Sequence, residues 1–178
     1  MSKFEPFGPF RIPVDGKLID KSREKEFWRD LVEKKEAGLS DAVGCYIFAI
    51  KAGKGVRPWY VGKTERASFR KEAFKFEPFA KALNQLKIGT PLLYLLAART
   101  KGGKLTKPAK RSIASVGALE ELLIGTCLRR NPRLLNKKVT KHFKEIEVPG
   151  YMNESPGARS LNARALARLL KVAKNVKE

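Results

Sequence analysis

The chain has 178 residues, 43% of them apolar, enough for one domain with a real core. Thirty-eight Lys and Arg against eighteen Asp and Glu give a formal charge of +20; that excess exceeds what solubility requires and attracts polyanions, nucleic acid first among them. No apolar run is long enough to cross a bilayer, the N-terminus lacks the order of a signal peptide, and the cations run the whole length instead of gathering on one amphipathic helix, which argues against a membrane surface.

Residues 1 to 20, rich in Pro, Gly and Phe, read as an irregular arm. Ser22 is placed to cap a helix over 23–37, with Phe27, Leu31 and Trp28 on its buried side and Gly38 ending it. A strand over 45–50, a Gly/Lys loop and a strand over 59–62 come next. Thr64 is placed to cap a helix over 65–76 that Pro78 breaks, and a short helix is expected over 79–86. The apolar run 92–98 has the length of a central strand covered on both faces. "RTKGGKLTKPAKRS" follows, with six basic residues and no acidic one. Ser115 is placed to cap a helix ending near Arg130, where Asn131-Pro132 stops it. Residues 133–149 read as extended and basic. A final Ala/Leu/Arg helix over 161–176 carries Arg164, Arg168 and Lys171 on one face, with its leucines turned to the core.

This order predicts an α+β fold: a small, three-stranded, mostly antiparallel sheet flanked by helices. The expected organisation is an arm and helix over 1–42, a core over 43–140 and a C-terminal extension over 141–178, all in one compact domain. Cys45 and Cys127 stand in apolar contexts and read as reduced core residues of a cytoplasmic protein. His142, the only histidine, reads as a surface residue on a basic stretch.

The helix from 115 poses a chemical question. Val116, Leu119, Leu123, Ile124, Cys127 and Leu128 form an apolar stripe, and Glu120 falls within it, whereas Glu121 lies towards its edge. A carboxylate on a core-facing stripe needs a cation, a metal or several hydrogen bonds, unless it pairs with an arginine or reaches out at the margin.

Gly44-Cys45-Tyr46 and Tyr60-Val61-Gly62, followed by Lys63-Thr64, resemble the two tripeptides of the GIY-YIG nuclease family. Arg70 lies ten residues beyond Tyr60, where that family keeps an arginine. "EELLI" at 120–124 resembles its Glu-x-x-apolar-Ile helix, which selects Glu120, and Asn136 stands where an asparagine follows. The resemblance covers about residues 43 to 137. Two features depart from the family: a longer hairpin loop, "KAGKGVRP", and Phe74 where His or Tyr is usual. Phenylalanine can neither shuttle a proton nor donate a hydrogen bond.

The resemblance implies a metal-dependent endonuclease that hydrolyses phosphodiester bonds in DNA. Glu120 would hold one Mg²⁺ or Mn²⁺ with waters at most sites, and Arg70 would bind the scissile phosphate through two parallel hydrogen bonds. Tyr46 is implied as general base, its phenol made more acidic by Lys63, Arg70 and a metal-bound water. Tyr60 would hold the water or phosphate, and Asn136 would orient the site. Recognition falls to the basic loop (Arg99, Lys101, Lys104, Lys107, Lys110, Arg111), to the cluster of Arg129, Arg130, Arg133, Lys137 and Lys138, to the N-terminal arm and to the last helix. The other reading is a non-catalytic nucleic-acid-binding module on the same fold. One site per chain means that cutting both strands takes a homodimer or two sequential nicks.

Overall fold

The computed structural model describes residues 2–15, 18–75, 89–136, 140, 141, 143, 145–151 and 157–170. Six strands form two sheets. β1 (Lys3–Arg11), β4 (Gly44–Ala52), β5 (Gly55–Thr64) and β6 (Thr90–Arg99) make a four-stranded sheet in the order β1-β6-β4-β5, every neighbour antiparallel. The short strands β2 (Val14–Asp15) and β3 (Leu18–Ile19) pair with each other. The α+β class is as expected, but the sheet has a fourth strand, because the arm pairs with β6 from Lys3 opposite Arg99 to Arg11 opposite Leu92. Two prolines, Pro6 and Pro9, confine that arm to a sheet edge, since neither offers an N–H to a second neighbour.

The first helix is shorter than its hydrophobic pattern suggests. A single turn, α1 (Glu24–Glu26), runs into a π-helical stretch, Phe27–Val32, closed by a bond from Glu33 N–H to the Trp28 carbonyl at 2.9 Å. The wider turn buries Phe27, Trp28 and Val32 and rotates Leu31 out to 45% exposure, against the expectation that Leu31 is core. Ser22 does not cap the helix; its amide and hydroxyl both donate to Asp20. Thr64 likewise closes β5, donating to the Ala67 carbonyl. The helix expected from 65 begins at Ser68 instead, as α2 (Phe69–Glu72) followed by a 3₁₀ turn, Ala73–Lys75. The helix expected over 79–86 lies outside the described residues.

α3 (Ala114–Arg130) is the long helix of the core and packs chiefly on β5. Ser115 lies inside it; the first amide secured is that of Ile113, which donates to Glu65 Oε1 at 2.7 Å. The sheet separates two apolar layers. On one face Tyr46, Phe48, Ile50, Leu93 and Leu95 meet the aromatics of 27–32 and α2. On the other, Val43, Cys45 and Ala98 meet Val116 of α3. This follows from strand alternation: Cys45 and Tyr46 are neighbours and must face opposite ways.

The chain divides into two compact units, residues 1–136 and 137–178, so the arm belongs with the core and the boundary falls just after Asn136. In the second unit, residues 140, 141, 143 and 145 are helical where an extended stretch is expected. α4 (Leu161–Leu169) is capped by Ser160, whose hydroxyl accepts from Ala163 N–H at 3.2 Å. It buries Ala163 and Ala167, while Leu161 and Leu169 are exposed, the reverse of the expected leucine face. Among the described residues no helix is long and apolar enough to cross a membrane.

Candidate active site

The two tyrosines are brought together by the β4–β5 hairpin. Tyr46 pairs with Gly62 and Phe48 with Tyr60, so both phenols project from the α2 face, with ring centroids 6.2 Å apart. The absence of a side chain at Gly62 makes this possible. A Cβ there would stand 2.4 Å from Tyr46 Cζ and 2.5 Å from its hydroxyl, so the ring lies directly over the edge strand. The contact between the two hydroxyls raises the Tyr46 phenol and lowers that of Tyr60, the sense expected if Tyr46 is the donor. Tyr46 is only 4% exposed, while Tyr60 is half-buried, so Tyr60 is the phenol that meets solvent.

Lys63 and Glu120 meet on the opposite face. Lys63 pairs with Cys45 in register and so turns towards α3, where its Nζ lies 3.2 Å from Glu120 Oε2. The Glu120 side chain is 20% exposed, on the margin of the apolar stripe, and Glu121 is fully exposed. The choice of Glu120 agrees with this geometry, and the cation that satisfies it is Lys63. Burial opposes the Lys63 charge, but the contact with Glu120 outweighs it and holds the ammonium above its ordinary range. Because β5 is the sheet edge, Glu120 still acts across it on both phenols.

The electrostatics correct one expectation. Positive charge does not acidify Tyr46. Burial first, then Tyr60, Glu72 and Glu120, push its phenol well above the usual range. Tyr60 is also raised, by burial and then Glu120, yet the hydrogen bond from Tyr46 pulls it back. Glu72 of α2, which the sequence reading did not single out, adds to both shifts from the margin of the helix, where its side chain is 40% exposed and pairs with Lys75 at 3.5 Å.

Arg70 stands apart from this group. It is exposed on the first turn of α2 and pairs with Asp41, Nη2 to Oδ1 at 2.5 Å. Phe74 has become a core residue, 5.1 Å from the Phe27 ring, 5.4 Å from Trp28 and 6.5 Å from Phe48. Phe27 and Trp28, from the first helical segment, are the packing partners that cover Phe74.

Asn136 is a clamp on the edge strand. Its Oδ1 accepts from Val61 N–H at 2.9 Å and its Nδ2 donates to the Val61 carbonyl at 2.6 Å, holding the residue between Tyr60 and Gly62. Leu135 N–H to the Trp59 carbonyl and Asn131 Nδ2 to the Pro58 carbonyl continue this cover. Asn136→Ala leaves two buried backbone groups without these partners. It is expected to cost about 2–4 kcal/mol, read as a lower melting temperature, together with lost activity. A variant with wild-type melting would remove Asn136 from this role.

The basic residues divide. Arg99 is not available to nucleic acid: its side chain is 10% exposed and bonds to Glu5 and Glu36, which hold its charge far above the ordinary range. Lys107 reaches the Gly38 carbonyl at 3.4 Å. Lys101, Lys104, Lys110 and Arg111 are exposed on a loop tied down by Val43 N–H to Thr106 O, Thr106 N–H to Ala98 O and Ala109 N–H to Glu65 O. Arg129, Arg130 and Arg133 are exposed near the end of α3. Lys137, Lys138, His142 and Lys171 lie outside the described residues.

Among the described residues no three His, Cys, Asp or Glu converge on one point, so Glu120 would be a lone carboxylate ligand. Glu120 is part-buried and paired with Lys63, so a hard cation there would displace the ammonium and keep waters at most of its sites, as Mg²⁺ does. No protein-family model, curated protein or solved structure matches this chain.

Proposed function

We propose that the chain is a metal-dependent endonuclease of the GIY-YIG type that hydrolyses DNA. The observation that carries this reading is that the edge strand β5 has the Tyr46–Tyr60 phenol pair on one face and the Lys63–Glu120 ion pair on the other. Bound at Glu120, Mg²⁺ or Mn²⁺ would neutralise phosphoryl oxygens and the departing 3′ oxygen.

The residue roles follow from exposure and hydrogen bonding. Tyr60 faces solvent and accepts a hydrogen bond, so its phenolate is the one that Tyr46 stabilises; Tyr60 is the better general base, and Tyr46 positions it. This reverses the roles implied by the resemblance. With a metal on Glu120, Lys63 would be released to meet phosphate; Arg70, paired with Asp41 away from this group, would have to leave that partner to contribute. The non-catalytic reading has one observation in its favour, the conversion of the Phe74 position to core.

Plasmid nicking with Mg²⁺ or Mn²⁺ decides between them. Salt-sensitive binding without cleavage of any duplex, branched or single-stranded substrate would leave only the module. For the enzyme, the active form of the base is ionised and its pKa lies above the usual value. The log of the rate is thus expected to climb with unit slope, without a plateau, over roughly pH 6 to 9. Tyr60→Phe should lower the rate about a thousandfold and flatten that climb. Tyr46→Phe removes one hydrogen bond to a charged oxygen, and should cost about 10- to 100-fold while keeping the slope. The opposite ranking would return the base to Tyr46.

A further inference from the structure

The packing of α3 along β5 gathers two distant parts of the sequence at the far end of the site's own strand. α3 begins beside the start of β4, where Cys45 Sγ approaches the Val116 carbonyl at 3.4 Å. It passes Lys63 at Glu120 and ends beside Pro58, which Asn131 holds at 2.7 Å. The helix therefore runs antiparallel to β5, and its basic end comes to the tip of the β4–β5 hairpin.

That tip is unusual in its chemistry. Residues 51–57 are all exposed, and they include Lys51, Lys54 and Arg57. No Asp or Glu occurs between Asp41 and Glu65, nor between Glu121 and Glu145, so both segments that meet here are acid-free. Elsewhere in the first unit Arg23, Arg29, Lys63, Arg70, Lys75 and Arg99 are each paired with a carboxylate. Exposed cations such as Lys3, Arg11, Lys35 and Lys71 are not, among the described residues, so it is the clustering of cations in acid-free segments that marks the tip. Among the described residues, Lys51, Lys54, Arg57, Arg130 and Arg133 have no such partner.

A second basic surface lies at the other end of β5. The Lys101–Arg111 loop is bonded there through Ala109 N–H to the Glu65 carbonyl. Nine residue steps of β5 separate the two poles, roughly 30 Å at the usual strand rise. One turn of duplex DNA is about 34 Å.

We propose that the hairpin tip, with Arg130 and Arg133, is a second phosphate-binding pole, and that duplex DNA lies along β5 and α3 touching both poles at once. The site edge then lies between two groups of phosphates about one turn apart. This rests on the nucleic-acid reading above but not on its hydrolytic step, so the test is binding in EDTA, where cleavage is silent. An exposed tip carrying cations without ion pairs also meets the duplex without a large apolar area, as backbone contacts require.

The probe is a duplex DNA of about 16 base pairs, about 54 Å long, titrated with salt. The triple variant Lys51→Ser, Lys54→Ser, Arg57→Ser should flatten the slope of log K against log salt by about 2.7, or about 0.9 per cation. Its melting temperature should stay at the wild-type value, because these side chains are exposed. Lys101→Ser, Lys104→Ser, Lys110→Ser should flatten the slope by a similar amount, and the two losses should add. An unchanged slope in the tip variant, with a reduced slope in the loop variant, overturns the second pole and leaves nucleic-acid binding intact. Absence of salt-dependent binding by the wild type fails the functional reading itself. Equal or tighter binding of one strand alone, or of the matching RNA duplex, overturns the assignment to duplex DNA.

Discussion

Glu120→Gln is expected to abolish metal-dependent cleavage, by a factor on the order of a thousand, while DNA binding stays at or slightly above the wild-type level. The amide keeps the shape of the side chain and can still accept from Lys63, so the fold has little reason to change. What is lost is the charge that holds the ion. Removing a negative group from a strongly cationic protein does not weaken its attraction for phosphate, so chemistry and binding should separate cleanly. Mn²⁺ binding followed by electron paramagnetic resonance gives a readout independent of turnover and should weaken in parallel. Glu121→Gln, at an exposed position one residue on, should be nearly silent. Equal losses from the two variants would place the functional carboxylate elsewhere.

Gly44→Ala should have the largest effect on stability. Gly44 has φ +151°, and a Cβ there would stand 2.1 Å from the Leu96 carbonyl oxygen, part of the β6 backbone. Side-chain adjustment cannot relieve a contact with a backbone atom in the middle of the sheet, so β4 and β6 would have to part where Gly44 lies opposite Ala97. Backbone strain and overpacking together put the cost at about 3–5 kcal/mol, or roughly 6–20 °C of melting temperature for a chain of this size. Gly55→Ala is the control. Its Cβ would meet only the Ala52 carbonyl at an ordinary 3.7 Å, and its melting should barely move. Wild-type melting for Gly44→Ala would mean that the strands do not approach in this way. The first glycine of the hairpin motif is thus held by strand packing, and the last, Gly62, by the phenol lying on it.

Local pattern carried the sequence reading as far as contacts between neighbours reach. The hairpin, the central strand and the long helix were legible because their periods are two and 3.6; the same periodicity put Glu120 in the stripe and Glu121 towards its edge, and the family resemblance made the choice of Glu120. Helix starts were not, since Ser22 and Thr64 spend their hydroxyls on local turns instead of capping. The arm was hidden because Pro6, Gly8 and Pro9 break the alternation that marks a strand. Leu31 was misplaced because a π-helical turn has a different period from the one assumed. Arg99 looked like one more cation of a basic loop, for its partners Glu5 and Glu36 lie 94 and 63 residues away in sequence. The ranking of the two phenols was equally out of reach, since spacing places both on one face but says nothing of which is covered.

The two margins of the sheet share a property that bears on how the protein divides its labour between copies. Asn131, Leu135 and Asn136 occupy the outer side of β5, and the opposite margin, β1, has two prolines in place of donors. Neither margin invites a strand from another molecule, so a continuous sheet across two copies is disfavoured at both ends. On the proposed endonuclease reading, a lone molecule with one site would release a circle cut in a single strand before it could return for the other. The time course of plasmid cleavage then takes the form of two successive first-order steps, with the relaxed circle rising and falling between supercoiled and linear DNA.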